Sequence, residues 1–152
     1  MEYDTQKAAR VWQRVQQEKQ EPALAQRNDR LPALIMEQAQ LSATYLQLAR
    51  HLSGQDGTVF MRLAREAKAQ AICMKGILTL MTGQSPDTTG TAAQISAIDA
   101  MLRHCYSKEL RLLKEYETRC SDPEYGPVFD RMVQRGREHC CTLLELVGKR
   151  GK

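Results

Sequence analysis

The sequence predicts an all-α protein whose core is a bundle of four helices, arranged as two hairpins of similar pattern. Three observations predict this fold. Ala, Leu, Gln, Glu, Arg and Lys dominate the composition and β-branched runs are absent, which favours helix throughout. Four segments carry apolar residues at alternating spacings of three and four, as one face of a helix requires. Two of these segments also match the other two position by position.

Length and composition are those of an ordinary globular domain. The chain has 152 residues, of which 42% are apolar and 26% charged, so a single domain can bury roughly two-thirds of its unfolded surface. The 22 basic and 18 acidic residues, for a net charge of +4, are interleaved along the chain. We interpret them as solvated helix faces, because a nucleic-acid interface would need clustered basic residues.

The sequence also predicts a cytoplasmic protein that does not enter a membrane. No apolar run approaches the ~20 residues that span a bilayer, and the first residues lack the apolar core of a signal peptide. The five cysteines include no Cys-x-x-Cys pair and lie within helical patterns. We therefore expect them to be reduced, as in a reducing compartment.

Residues 1–28 are predicted to form an appended N-terminal helix and a linker. The helix covers residues 5–20, and Pro22 with the polar residues after it separates the helix from the bundle. Its apolar side carries Ala8, Val11, Trp12 and Val15. Trp12 is the expected anchor, since a tryptophan buries a large area. We expect this helix to pack on the core or on a second subunit, in a homodimer formed through helix faces and the N-terminal helix.

The bundle itself is predicted to occupy residues 29–148, followed by a frayed basic tail at 149–152. The predicted helices cover residues 32–52, 57–82, 91–119 and 124–147. The short turn from Ser53 to Asp56 makes the first two helices antiparallel, with Asp56 as the N-cap of the second. Gly83 is expected to end that second helix.

An internal repeat relates the two hairpins. Phe60, Ala67 and Gln70 of the second helix fall on Phe129, Gly136 and His139 of the fourth at one constant offset. Gln38 and Tyr45 of the first helix fall on Glu109 and Tyr116 of the third, at an offset two residues longer. Two hairpins that are each apolar on one face bury those faces best against each other, which gives a four-helix bundle.

The connection between the hairpins is left open by the sequence. If a pseudo-twofold axis relates them, we expect the third helix to begin at the end of the bundle where the first begins. The breaker-rich stretch from Gly83 to Gly90 fits a simple connection or a long crossover. With the residues after it, that stretch is long enough to reach roughly 30 Å at ~3.3 Å per extended residue.

Residues of about 30–148 resemble the rubrerythrin branch of the ferritin-like proteins. The segment FMRLAREAKAQAICMKGIL is similar to the second helix of that family, and FDRMVQRGREHCCTLLEL is similar to the fourth. The Leu-Met-Thr-Gly stop at residues 80–83 and the pattern Tyr106-x-x-Glu109 before Tyr116 add to the resemblance.

The resemblance implies a diiron site, for which two helices each give a Glu and the other two each give Glu-x-x-His. The corresponding positions in this sequence are Gln38, Ala67, Gln70, Glu109, Gly136 and His139. Only Glu109 and His139 keep the ligand identity, and a neutral amide or a methyl group cannot balance the charge of two irons. We therefore expect no cofactor and no catalysis, in a structural or interaction module. The alternative is a residual oxidoreductase or peroxidase that binds iron or zinc at Glu109 and His139.

The remaining polar residues of the core have simpler interpretations. Glu109 and His139 are expected to form a buried pair, hydrogen-bonded to each other and to Gln38 or Gln70. Tyr45 and Tyr116 are expected to be core residues with internally bonded hydroxyls. The small residues Ala67 and Gly136 predict a cavity or waters near the bundle centre. Three acids one position off the inward stripe are expected to be solvated, and Cys140 is expected to be structural; the three acids are Glu37, Glu66 and Glu138.

Overall fold

The structure is a computed structural model that describes residues 30–94 and 97–150. These residues contain four α-helices and no strands. The helices are α1 (Leu31–His51), α2 (Gly54–Thr82), α3 (Ile98–Arg119) and α4 (Gly126–Arg150). The predicted N-terminal helix with Trp12 and the last two residues lie outside the described ranges. Within those ranges, no helix has the length and apolar character needed to cross a membrane.

Three helix boundaries differ from the prediction by three or more residues, and α4 begins at Gly126 rather than at Glu124. α2 begins at Gly54, so Ser53 is its N-cap and Asp56 lies within the first turn instead of capping it. α3 begins at Ile98 rather than at Thr91, because residues 91–94 belong to the connection before it. α4 continues past the predicted end at Val147 to Arg150, whose Nε pairs with Asp99 Oδ1 at 2.9 Å. The predicted stop of α2 is confirmed, since Gly83 follows it with a left-handed φ of 75°.

The structure confirms the internal repeat. The rings of Tyr45 and Phe60 in the first hairpin lie 6.1 Å apart with an interplanar angle of 34°. The rings of Tyr116 and Phe129 in the second hairpin have the same separation and angle. Equivalent apolar residues of the two hairpins therefore pack in the same way, around one core to which all four helices contribute.

The hairpins are antiparallel to each other across the α1–α3 contact. Tyr45, late in α1, bonds Glu109 in α3, while Gln38, early in α1, bonds Tyr116 further along α3. The start of α3 therefore lies at the end of the bundle opposite to the start of α1. The expectation that both helices begin at the same end was wrong, because the pseudo-twofold axis lies across the bundle and not along it.

The segment between α2 and α3 is a long crossover that runs over the first hairpin. Thr88 O accepts a hydrogen bond from Lys68 Nζ of α2, and Ala93 N donates to Thr44 Oγ1 of α1 at 3.0 Å. Between these contacts, a Cβ on Gly90 would overlap the carbonyl atoms of Ala39. The backbone at Gly90 thus rests directly on α1, where only glycine fits.

We expect Gly90→Ala to lower the free energy of unfolding by about 1–3 kcal/mol, because the added methyl group forces the crossover away from α1. Gly76→Ala is the matched control, since a Cβ at that exposed helical position meets nothing within 4 Å. The control should be stabilising by up to about 1 kcal/mol through helix propensity. Urea unfolding with unchanged m-values measures both effects. Similar responses at the two positions would contradict the packing role of Gly90.

Candidate functional site

A buried polar cluster at the bundle centre draws one side chain from each helix. His139 of α4 contacts Glu109 Oε1 of α3 through Nδ1 at 2.8 Å. The same ring contacts Glu66 Oε2 of α2 through Nε2 at 2.6 Å. Tyr45 of α1 donates its hydroxyl to Glu109 Oε1 at 2.7 Å. The cluster therefore ties all four helices together through hydrogen bonds centred on one imidazole.

The geometry assigns a positive charge to the His139 ring. Both ring nitrogens face carboxylate oxygens, which only accept hydrogen bonds, so both nitrogens must donate. Burial lowers the pKa of His139, but the hydrogen bonds and charges of Glu109 and Glu66 outweigh burial, and the net pKa lies above the ordinary value of 6.5. His139 is 1% exposed and Glu109 2%. The imidazolium thus balances a carboxylate that has almost no contact with water.

Gln38 and Gln70, the residues that correspond to Glu109 and His139 in the internal repeat, are uncharged. Tyr116 donates its hydroxyl to Gln38 Oε1 at 2.7 Å, as Tyr45 does to Glu109. The Nε2 atoms of Gln38 and Gln70 are buried and have no hydrogen-bond partner among the described residues. The prediction that Gln38 or Gln70 would bond the Glu109–His139 pair was wrong, since Tyr45 and Glu66 take those places. The predicted internal hydrogen bonds of Tyr45 and Tyr116 are confirmed.

Glu66 is the residue of the cluster that sequence reasoning missed. Its side chain is 23% exposed and reaches His139 across the contact between α2 and α4, so the prediction of a solvated acid was wrong there. Arg135 Nε lies 4.0 Å from the same carboxylate. Glu138 is exposed, as predicted. Glu37 is partly buried and forms an ion pair with Arg111 of α3.

The space that was expected beside the small residues Ala67 and Gly136 is largely occupied. A Cβ on Gly136 would lie 3.3 Å from Leu113 Cδ1, so this leucine fills the room left by the absent side chain. The structure thus places a leucine side chain where a cavity was predicted at Gly136. Ala67 is fully buried and belongs to the continuous hydrophobic core. Neither position offers an atom that could bind a cofactor.

The residues present do not fit a diiron centre. Among the six ligand-equivalent positions, Ala67 and Gly136 have no donor atom, and Gln38 and Gln70 offer only neutral amides. His139 has no free lone pair while both ring nitrogens donate to carboxylates. Over residues 30–94 and 97–150, no group of three or more His, Cys, Asp or Glu side chains is arranged to hold a metal ion. The donor set therefore lacks the charge and the lone pairs that two irons need.

The thiols near the cluster are unreactive. Burial raises the pKa of Cys105 to about 12, and the charge of Glu109 adds to the effect. Burial raises the pKa of Cys140 to about 11, again with help from Glu109. All five cysteines are free. A thiol with such a pKa is protonated at neutral pH and is no nucleophile, which agrees with the predicted structural role of Cys140.

The cluster reaches solvent at the α2–α4 seam, the most loosely packed contact between neighbouring helices. An open cleft of about 410 Å³ lies there, and its lining includes Arg62, Glu66, His139 and Thr142. Glu66, whose side chain is 23% exposed, is therefore the member of the cluster that borders solvent.

We expect Tyr45→Phe to be more destabilising than Tyr116→Phe. The first change removes a hydrogen bond to a buried charged group, which is worth about 1.5–3 kcal/mol, whereas the second removes a bond to a neutral amide worth about 0.5–1.5 kcal/mol. The two tyrosines make a matched pair, because both are almost completely buried and have equivalent ring packing. Chemical denaturation of the two variants gives the comparison, and the reverse order would argue against an ionised Glu109.

The site thus holds a buried charge and fastens the helices, but it presents neither a nucleophile nor an open ligand position. Its one accessible member is Glu66, whose carboxylate already bonds His139. In comparisons with known proteins, no protein-family model, no curated protein and no solved structure matched this chain.

Proposed function

We propose that the protein is a ferritin-like bundle of the rubrerythrin type that has lost its diiron chemistry and serves as a non-catalytic structural or interaction module. The observation that carries this proposal is the His139 imidazolium between Glu109 and Glu66. In a diiron protein the metal ions balance the buried carboxylates. In this chain the charge of one ring balances the one fully buried carboxylate, that of Glu109. Through Glu109 and Glu66 the ring joins helices that metal ligands would otherwise join.

The topology supports the ferritin-like part of the proposal. Ferritin-like bundles consist of two antiparallel hairpins joined by one long crossover. The crossover over α1 and α2, together with the antiparallel contact of α1 with α3, has that arrangement. The paired tyrosines and phenylalanines supply the internal symmetry that the doubled ligand pattern of the family requires.

Exposed apolar side chains support an interaction role. Six of them lie on the two helices that flank the loosely packed seam: Met61, Ile72, Leu80 and Met81 on α2, and Leu144 and Val147 on α4. Apolar residues grouped on helix faces favour association with another surface. A homodimer is the assembly that we expect, and sedimentation equilibrium of the full chain tests it.

Metal analysis tests the proposed function. Protein purified from iron-supplemented and zinc-supplemented growth should contain no stoichiometric metal, and adding iron should leave the thermal midpoint unchanged. His139→Ala is the control, because metal held at Glu109 and His139 would disappear from this variant. Close to two irons per chain would overturn the proposal, and a single metal lost in the control would favour the residual metalloenzyme instead.

A further inference from the structure

A second cleft opens at the seam between α2 and α4, beside the first turns of α4. Residues of α2 form one wall and residues of α4 the other, and none of them belongs to the polar cluster around His139. The volume of the cleft is about 500 Å³, which is typical of sites that bind small organic molecules. We call it the Gln70 cleft, after the buried polar residue in its wall.

The hydrogen bonding of Gln70 is incomplete. Gln70 is 6% exposed, and its Nε2 atom is buried without a hydrogen-bond partner among the described residues. A buried donor without an acceptor is unfavourable, because it has lost its bonds to water and gained none in return. Since Gln70 lines the cleft, a ligand oxygen seated beside this amide would supply the acceptor.

Two arginines of α4 give the Gln70 cleft a positive charge. Arg131 and Arg135 line the cleft and stand four residues apart, so they lie on the same side of the helix. Arg131 forms no hydrogen bond or ion pair within residues 30–94 and 97–150, and the contact of Arg135 with Glu66 is long, at 4.0 Å. Glu138 is the single acid in the described lining. The arginines outnumber it, and the cleft therefore favours an anion.

The remaining lining favours an organic anion over an inorganic one. Ala69, Val128 and Met132 bring apolar side chains to the same cleft. Such surface is stabilised by contact with a hydrocarbon group, which an inorganic anion does not have. A carboxylate also suits the arginines, because a guanidinium group can donate two parallel hydrogen bonds to its two oxygens.

We infer that the Gln70 cleft binds a small organic carboxylate with a hydrocarbon body. The carboxylate oxygens accept hydrogen bonds from Gln70 and from the arginines of α4, and the hydrocarbon body lies against Ala69, Val128 and Met132. The inference goes beyond the proposed function, because a structural or interaction module requires no small-molecule site. It also does not depend on the charge of His139 or on the oligomeric state.

Isothermal titration of the full-length protein with octanoate tests the inference, and we expect saturable binding at one site. Gln70→Leu replaces the amide by an apolar group of similar size and should weaken octanoate binding about tenfold. Arg131→Gln should weaken it several-fold. Arg137→Gln is the matched control, since Arg137 is also an exposed arginine of α4 but pairs with Glu117 and lies outside the cleft. The control should leave the affinity unchanged.

Inorganic phosphate and acetate serve as comparison probes and should bind much more weakly than octanoate, because neither has a long hydrocarbon body. Circular dichroism verifies the fold of the variants, and the exposed position of Arg131 keeps the test valid if Gln70→Leu fails to fold. Absence of saturable octanoate binding would overturn the inference. Equal losses of affinity in Arg131→Gln and Arg137→Gln would do the same, as would phosphate binding as tight as that of octanoate.

Discussion

His139→Leu is expected to cost about 3–5 kcal/mol of folding stability, the largest effect of any substitution in the polar cluster. The reason is the carboxylate that the change leaves behind. Glu109 is 2% exposed and would keep only the Tyr45 hydroxyl as a bonded partner. Glu66 is affected less, because its partly exposed side chain can turn to water.

A double-mutant cycle separates the loss of the ion pair from the loss of the ring. Combined with Glu109→Gln, which removes the buried charge, His139→Leu should cost less than the sum of the two single changes. The coupling free energy should be about 0.5–3 kcal/mol, as for residues in direct contact. Glu66→Gln serves as the comparison and should couple more weakly to His139. Additive costs for Glu109 and His139 would contradict the central role of their pair.

The four-helix fold could be predicted from the sequence because the residues that repeat between the two hairpins all face one core. Tyr45 and Phe60 recur as Tyr116 and Phe129, and their rings pack identically. The direction of the second hairpin could not be predicted, since an apolar stripe looks the same whichever way its helix points. That direction is set by a few hydrogen bonds, such as those of Tyr45 and Tyr116.

The start of α3 was placed too early because local propensity and tertiary contacts disagree there. Residues 91–94 are compatible with helix, but Thr44 accepts a hydrogen bond from Ala93 N. Gly90, just before them, is pressed against the backbone of Ala39. Contacts with α1 therefore keep these residues in the connection, and the sequence of residues 91–94 gives no sign of it.

The site was predicted only in part, because the sequence pattern gives the direction of a side chain but not how far the side chain extends. Helical periodicity gives the angle at which a side chain leaves its helix, and by that criterion Glu66 belongs to the solvated face. A glutamate is long, however, and the loosely packed seam lets its carboxylate reach His139 at 2.6 Å. The sequence held one indication of this contact. His139 was predicted to be buried opposite Ala67 and Gln70, and neither residue is an acid that could accept a hydrogen bond from its second ring nitrogen. The nearest acid to that position in α2 is Glu66.

The stability of the protein is expected to fall as the pH rises above about 6.5, through the titration of His139. The pKa of this ring in the folded chain lies above the ordinary value of 6.5 that it has in the unfolded chain. The contribution of His139 to the free energy of unfolding is therefore fully present below about pH 6.5. It is lost as the pH rises through the pKa of the ring in the folded chain. Each pKa unit of elevation corresponds to about 1.4 kcal/mol. Burial and the charge of Glu109 raise the pKa of Tyr45, so its hydroxyl remains a donor throughout this range.

Two measurements test the pH dependence independently. Urea unfolding should give a midpoint that decreases as the pH rises above about 6.5 in the unchanged protein, and the decrease should be much smaller in His139→Gln. The chain has only three histidines, so proton NMR can also follow each ring. His139 should titrate above its ordinary range and His104 below it, because the two carboxylates raise the pKa of His139, whereas burial and the charge of Lys108 lower the pKa of His104. A His139 ring that loses its proton before His104 would show that the carboxylates do not hold it as a cation, because an ionised Glu109 and Glu66 must delay that loss.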